Sequence, residues 1–232
     1  MKTYAIVGNQ YEGLYTKPWS EVQKYTQTKP APKYKGFTSY AAAKQWFDEN
    51  QAAITATYRN YETVYDGEFK REAQHYYIFT DGGSRNTGNV AGGHVKATDL
   101  AAFAVVIFAG LDNKNPLYKN SVGFFGKTNN EMEVQALLAA LQQAQKVAEP
   151  VTIVSDSKYV LDTVTNWMYN WQSNGWTKKS GEIANLNLWQ QIYDLVQQQK
   201  DHLAFIWVKG HATSAGNQLV DQLLNQAMDE LK

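Results

Sequence analysis

The distribution of apolar and polar positions changes character near residue 76. Beyond it, "YYIFTD" (76–81), "AAFAVVIFAG" (101–110), "LYKNSVGFFGK" (117–127), "VTIVSD" (151–156) and "LAFIWV" (203–208) are short apolar runs of strand length. Helical stretches lie between and after them, at about 130–146, "SKYVLDTVTNWMYNW" (157–171), "NLWQQIYDLVQQ" (187–198) and about 215–231, with a polar stretch over 172–185. Three strands, then helix, strand, two helices, strand and helix, predict an α/β fold: a mixed five-stranded sheet with helices on its faces.

The first 47 residues predict a separate small α/β unit. "YAIV" (4–7) and "GLYT" (13–16) are short strands around the turn-forming "GNQYEG", and "WSEVQKYT" (19–26) is a short helix. "KYKGF" (33–37) is a third strand, and Ser39 is placed to cap the helix "YAAAKQWF" (40–47). Residues 48–75 are polar and hold no sustained apolar period, so they predict a linker. The expected domains are therefore 1–47, a linker over 48–75, and 76–232.

Composition narrows the function classes. Apolar residues make up 44 %, enough for a sizeable core. With no cysteine, disulfides and thiolate metal sites are excluded. No apolar run approaches the roughly 18–20 residues that span a bilayer, and the N-terminus lacks a signal-peptide core. The expectation is a cytoplasmic protein that needs neither a membrane nor an obligate protein partner. Net charge is zero, yet residues 1–47 hold seven lysines against two glutamates, a net +5. A basic head on a near-neutral body points to an anionic polymer as partner.

Candidate chemistry lies in "KTNNEMEVQALLAAL" (127–141). From Glu133 the same-face helical positions are Ala136, Leu137, Ala140, Leu141 and Ala144; from Glu131 they include Gln135, Gln142 and Lys146. Glu133 thus heads the buried face, where an unpaired carboxylate costs several kcal/mol, whereas Glu131 is a solvated charge near a helix N-terminus. Asp81 and Asp156 each end an apolar run, at the sheet edge where ligands of open α/β sheets gather. Asp221 lies in the last helix. Without cysteine, and with four histidines lacking tight ligand spacing, the site is all-oxygen. Carboxylate sets of this kind select Mg²⁺ or Mn²⁺ and serve phosphoryl chemistry through two metals.

"TDGGS", "TNNEMEVQALLAAL", "SDSKYV" and "WVKGHATSAGNQLVD", in this order and spacing, resemble the type 1 ribonucleases H. Residues 2–47, with "YAIV", "GLY", Trp19 and "KYKGF", resemble the small RNA/DNA hybrid-binding domain attached to many members. The resemblance implies a ribonuclease H-like fold preceded by a hybrid-binding domain. It also implies an endoribonuclease that hydrolyses the RNA strand of RNA/DNA hybrids, leaving 5′-phosphate and 3′-hydroxyl ends. The implied cofactors are two Mg²⁺, with Mn²⁺ as a possible substitute, held by Asp81, Glu133, Asp156 and Asp221.

Further roles follow from the same resemblance. His211 matches a mobile-loop histidine that assists proton transfer or product departure. Thr128, Asn129 and Asn130 match residues touching phosphate and minor groove, where short amides read 2′-hydroxyls, and Asn89 is a further candidate of this kind. Trp176, Lys178 and Lys179 fall in a substrate-gripping protrusion, with Trp176 open to a second reading as core packing. In the head, Tyr4, Trp19 and Tyr34 match aromatic contacts, Trp19 being open to core packing as well, and Lys35 a phosphate-contacting lysine. The sequence departs from the pattern at Gly83, one residue more than usual after Asp81, at Thr213 in place of a glycine, and at Gly36 in place of a residue basic in some members. Two alternatives remain: a non-catalytic protein binding hybrid or double-stranded RNA, and a DNA nuclease of the same fold.

Overall fold

The computed structural model describes residues 2–8, 11–27, 31–57, 61–64, 69–85, 95–178, 181–209 and 214–232. It divides into two compact units, Met1–Tyr58 and Arg59–Lys232.

In the first unit, β1 (Thr3–Val7) is the central strand of an antiparallel sheet, flanked by β2 (Gly13–Tyr15) and β3 (Lys33–Phe37). A short helix α1 (Trp19–Val22) tightens into a 3₁₀ turn over Gln23–Thr26. Ala5, Ile6, Val7, Val22 and Ala43 are fully excluded from solvent and form the small core. Ser39 opens α2 (Tyr40–Thr57), its Oγ accepting from the Ala42 N–H at 3.4 Å. This helix does not stop at Phe47. Lys44 pairs with Asp48 at 2.7 Å, and Gln45 donates to Glu49 at 2.9 Å. Such i,i+4 contacts carry a helix through polar sequence where no apolar stripe announces it.

The second unit holds a six-stranded sheet in the order β4-β9-β8-β5-β6-β7. Its strands are β4 (Glu62–Val64), β5 (Tyr76–Arg85), β6 (Leu100–Ala109), β7 (Tyr118–Phe125), β8 (Val151–Ser155) and β9 (Leu203–Val208). β4, β9, β8 and β5 run parallel, while β5, β6 and β7 pair antiparallel. The sheet therefore has one strand more than the five expected. β4 lies inside the segment read as linker, and a three-residue strand burying only Val64 is too short to show a period. Tyr61 anchors the chain beside it by donating to Asp162 Oδ1 at 2.7 Å.

Helices cover both faces. α3 (Asn129–Ala144), α4 (Lys158–Asp162), α5 (Met168–Ser173) and α6 (Leu186–Gln199) supply one core, containing Ile78, Val105 and Ile153 from the strands and Leu137, Leu141, Leu161, Trp189 and Ile192 from the helices. α7 (Ala215–Asp229) covers the other face, over Tyr77, Phe79, Val106, Phe108 and Val154. Alternate residues of β5 thus enter opposite cores, as period-two alternation requires. The stretch expected as one helix over 157–171 contains a π turn at Thr163–Trp167. Thr163 and Thr165 donate their hydroxyls to the Tyr159 and Leu161 carbonyls at 2.7 and 2.6 Å, a back-bonding that loosens the regular ladder. Among the described residues no helix is long and apolar enough to cross a membrane.

Candidate active site

Three elements bring carboxylates together. The parallel register of β5 with β8 ends at Thr80 opposite Ser155, so Asp81 and Asp156 emerge side by side one residue later. β5 itself does not end there. It continues to Arg85 against β6 alone, with Asp81 opposite Ala104. Asp81 is accordingly a mid-strand residue at the point where one of two neighbouring strands stops, rather than the strand-terminal residue expected.

Glu133 arrives from the first turns of α3. Thr128 caps this helix, its Oγ1 accepting from the Glu131 N–H at 3.1 Å. The approach of α3 to β5 depends on Gly82, where a Cβ would overlap the Met132 carbonyl carbon and the Glu133 nitrogen. Any larger residue beside Asp81 would push Glu133 away. Glu133 is 8 % exposed, and Ala136, Leu137, Ala140, Leu141 and Ala144 on its face are buried. Glu131 is only half-buried and takes an ion pair from Lys127 at 2.8 Å.

One carboxylate oxygen each from Asp81, Glu133 and Asp156 lies within 4.8 Å of the other two. Asp221, on α7, falls outside this group of three, yet its charge contributes to raising the Asp81 pKa. Burial, then the charges of Asp156 and Asp221, push Asp81 from 3.8 up to about 8, against the opposing pull of the Gly82 N–H. Burial first, then Asp81 and Asp156, also drive Glu133 well above the ordinary glutamate range. Glu133 Oε2 is buried and has no hydrogen-bond partner among the described residues. Clustered acids of this kind repel one another unless protonated or neutralised by a cation. An all-oxygen donor set with an unsatisfied buried oxygen fits a hard divalent ion.

The supports of this cluster include residues that sequence reading passed over. The Trp207 indole N–H donates to the Asp156 carbonyl at 2.9 Å, and the Lys158 ammonium sits 4.3 Å from the centre of the Trp207 ring. Asn225 donates to Asp221 Oδ1 at 3.2 Å. The available signal was position: Lys158 follows "SD" by two residues, and Asn225 stands one helical turn after Asp221.

The other expected contacts divide. Thr128, Asn129 and Asn130 are exposed at the start of α3, and Asn129 Oδ1 lies close to Gly83. Trp176 is half-buried at φ 59°, its ring edge-on to Tyr193 at 5.7 Å, so its placement is that of packing. Lys178 is exposed. His211, Lys179 and Asn89 lie outside the described residues, as does Thr213.

In the first unit the aromatic candidates form a row. Trp19 lies 5.1 Å from Tyr4 and 5.4 Å from Tyr34, which is 48 % exposed. A Cβ on Gly36 would meet the Tyr4 ring at 2.8 Å, so this glycine seats the ring. Lys35 pairs in register with Ala5, whereas Tyr34 pairs with Ile6 and Gly36 with Tyr4. Strand alternation therefore sets Lys35 on the opposite face from the aromatic row, with its ammonium 5.5 Å from the Phe37 ring centre.

Comparison with known proteins agrees with this geometry. The family described as RNase H matches residues 73–229, and that described as Ribonuclease H1 N-terminal domain matches residues 2–47. A ribonuclease H of Francisella tularensis subsp. novicida is 40 % identical over 105 residues, 45 % of this chain and 67 % of its own length. One from Alcanivorax borkumensis is 40 % identical over 106 residues, 45 % of this chain and 68 % of its own. Among solved structures, the PFV RNase H domain superposes with a TM-score of 0.58 at 22 % identity, covering 70 % of this chain and 97 % of that one. LC9-RNase H1, a type 1 RNase H with the type 2 active-site motif, gives 0.56 at 23 % identity, covering 71 % and 76 %. These two likenesses concern the fold.

Proposed function

Given that the chain belongs to the RNase H family, we propose that this ribonuclease H cuts the RNA strand of RNA/DNA hybrids at the acidic cluster of its second unit. The observation that carries the reading is the meeting of Asp81, Glu133 and Asp156 within 4.8 Å around a buried, unpartnered oxygen. Asp81, Glu133 and Asp156 would hold divalent cations, with Asp221 completing the set. Two Mg²⁺, or Mn²⁺ in their place, are the ions best suited to these donors. Bound there, such ions lower the pKa of water and neutralise the charge that develops in an in-line displacement at phosphorus.

The chain's own residues supply position and discrimination. Asp81 on β5 meets Asp156, just past the end of β8, and Glu133 on α3, so it would be the ligand best placed to serve more than one cation. Thr128, Asn129 and Asn130 present a hydroxyl and two amides beside the cluster, donors and acceptors suited to the 2′-hydroxyls that mark an RNA strand. His211, in the segment before α7, is proposed to assist proton transfer or product departure. The first unit is proposed to grip hybrid through Tyr4, Trp19 and Tyr34, with its net positive charge drawing in phosphate. Lys35, on the opposite face of β3, contributes to that field rather than to the aromatic row. Trp176, which packs on Tyr193, is proposed as a packing residue, and Lys178 and Lys179 are proposed to meet phosphate. Cytoplasmic hybrids are the proposed substrate pool.

Labelled RNA/DNA hybrid, single-stranded RNA, double-stranded RNA and double-stranded DNA, each with Mg²⁺, Mn²⁺ or EDTA, test this directly. Metal-dependent cutting of the hybrid alone is expected, abolished by Asp81→Asn and by Glu133→Gln and retained in Glu131→Gln. Loss of cutting in Glu131→Gln with Glu133→Gln active would overturn the assignment. Hybrid binding without cutting would favour the non-catalytic alternative, and cutting of double-stranded DNA the DNA nuclease.

A further inference from the structure

Strand β5 carries two charged side chains four residues apart on one face, Asp81 and Arg85. Arg85 reaches α7, where its Nη1 donates to Asp229 Oδ1 at 2.5 Å and its Nη2 to Asn225 Oδ1 at 2.9 Å and the Asn225 carbonyl at 3.2 Å. Asn225 in turn donates through Nδ2 to Asp221 Oδ1 at 3.2 Å and to the Asp221 carbonyl at 2.9 Å.

We infer that Arg85 and Asn225 are positioning residues that set the Asp221 carboxylate for cation binding. An asparagine amide has two senses, and only one offers its N–H to a carboxylate. A guanidinium donates and never accepts, so Arg85 admits only Oδ1 on its side and aims Nδ2 at Asp221. Without Arg85 the amide can turn and present its oxygen to the carboxylate, which repels it. With Oδ1 of Asp221 held by Asn225, the second oxygen is left for the cation. The Arg85–Asp229 ion pair, to which Lys232 adds a contact at 2.7 Å, pins the end of α7. The inference rests on the reading of Asp221 as a ligand.

Metal binding to the full chain, measured without substrate by Mn²⁺ titration with calorimetric and paramagnetic resonance detection, tests it. Outer-shell partners of metal ligands typically tune affinity 10–100-fold. Arg85→Met and Asn225→Leu are each expected to weaken Mn²⁺ binding about tenfold at the site that Asp221→Asn also weakens. The double variant should lose little more than either single one, since both act through one amide. Arg85→Lys should restore part of the loss, because an ammonium can still donate to Asn225 Oδ1. Asp229→Asn separates structure from positioning: it breaks the ion pair and lowers thermal stability while leaving Mn²⁺ affinity intact. Unchanged affinity in Arg85→Met and Asn225→Leu, with Asp221→Asn impaired, would overturn the inference alone. Unchanged affinity in Asp221→Asn would remove the reading of Asp221 as a ligand, and the inference with it.

Discussion

The acidic cluster should cost the metal-free protein stability, and Asp81→Asn measures how much. Asp81 is raised from 3.8 in an unfolded chain to about 8 in the folded protein, chiefly by burial and then by Asp156 and Asp221. Between those values the folded protein keeps a proton that the unfolded chain has released. The stability associated with that proton is complete below the lower value and is lost as pH rises through the higher one. From about pH 5.5 to about pH 8.5 the loss works out at about 3 kcal/mol, at roughly 1.36 kcal/mol per unit. Asparagine has the shape of the protonated acid and does not titrate. In EDTA, Asp81→Asn should therefore gain about 3 kcal/mol on wild type over this interval, roughly 6–12 °C in midpoint for a unit of this size. Thermal or urea unfolding of both proteins at the two pH values provides the measurement. Saturating Mg²⁺ should narrow the gap at the higher pH by stabilising wild type more than the variant. A gap that does not change with pH, or a variant less stable than wild type at the higher pH, would refute the account of Asp81 as a desolvated, repelled acid.

Other perturbations report on separate parts of the molecule. Gly82→Ala should cost toward the upper end of the roughly 1–3 kcal/mol typical of overpacking, and should reduce metal affinity, because α3 must retreat from β5; unfolding curves and Mn²⁺ titration show both. Arg71 has its guanidinium carbon 5.0–5.5 Å from the ring centres of Phe69, Tyr77, Phe79 and Phe108, and donates to the Asp112 carbonyl at 2.9 Å. Arg71→Ala should lose about 2 kcal/mol in urea unfolding, and Arg71→Lys should recover little of it. Gly36→Ala should displace the Tyr4 ring and lower hybrid affinity in a filter-binding titration, and Trp19→Ala should lower it too, while cleavage at saturating hybrid survives in both.

Much of the α/β order was legible because strands buried on both faces are continuous apolar runs, as in "YYIFTD" and "VTIVSD", and helices such as α3 carry a continuous apolar face. The opposite characters of Glu131 and Glu133 were legible for the same reason: helical periodicity alone separates their faces. The resemblance to ribonuclease H rests on four short blocks, and so is legible in the sequence itself. The end of α2, by contrast, depends on i,i+4 polar pairs such as Lys44–Asp48, and β4 is a strand only because β9 offers it an edge. Neither leaves an apolar period in the polar stretch 48–75.

Local pattern by itself determined which runs and helix faces turn inward in the main elements, which face of α3 holds the acid, and which residue types are available for chemistry. Tertiary structure alone decided where one strand outruns its neighbour, so that Asp81 lies inside β5 while Asp156 lies just past β8. It decided that Trp176 packs on Tyr193 and that Lys35 alternates away from Tyr34. It also decided that Arg85 meets Asn225 across a sequence separation of 140 residues. Periodicity reports the environment of a side chain relative to its own element, whereas register, close approach at a glycine and hydrogen bonds between elements exist only once the elements have packed.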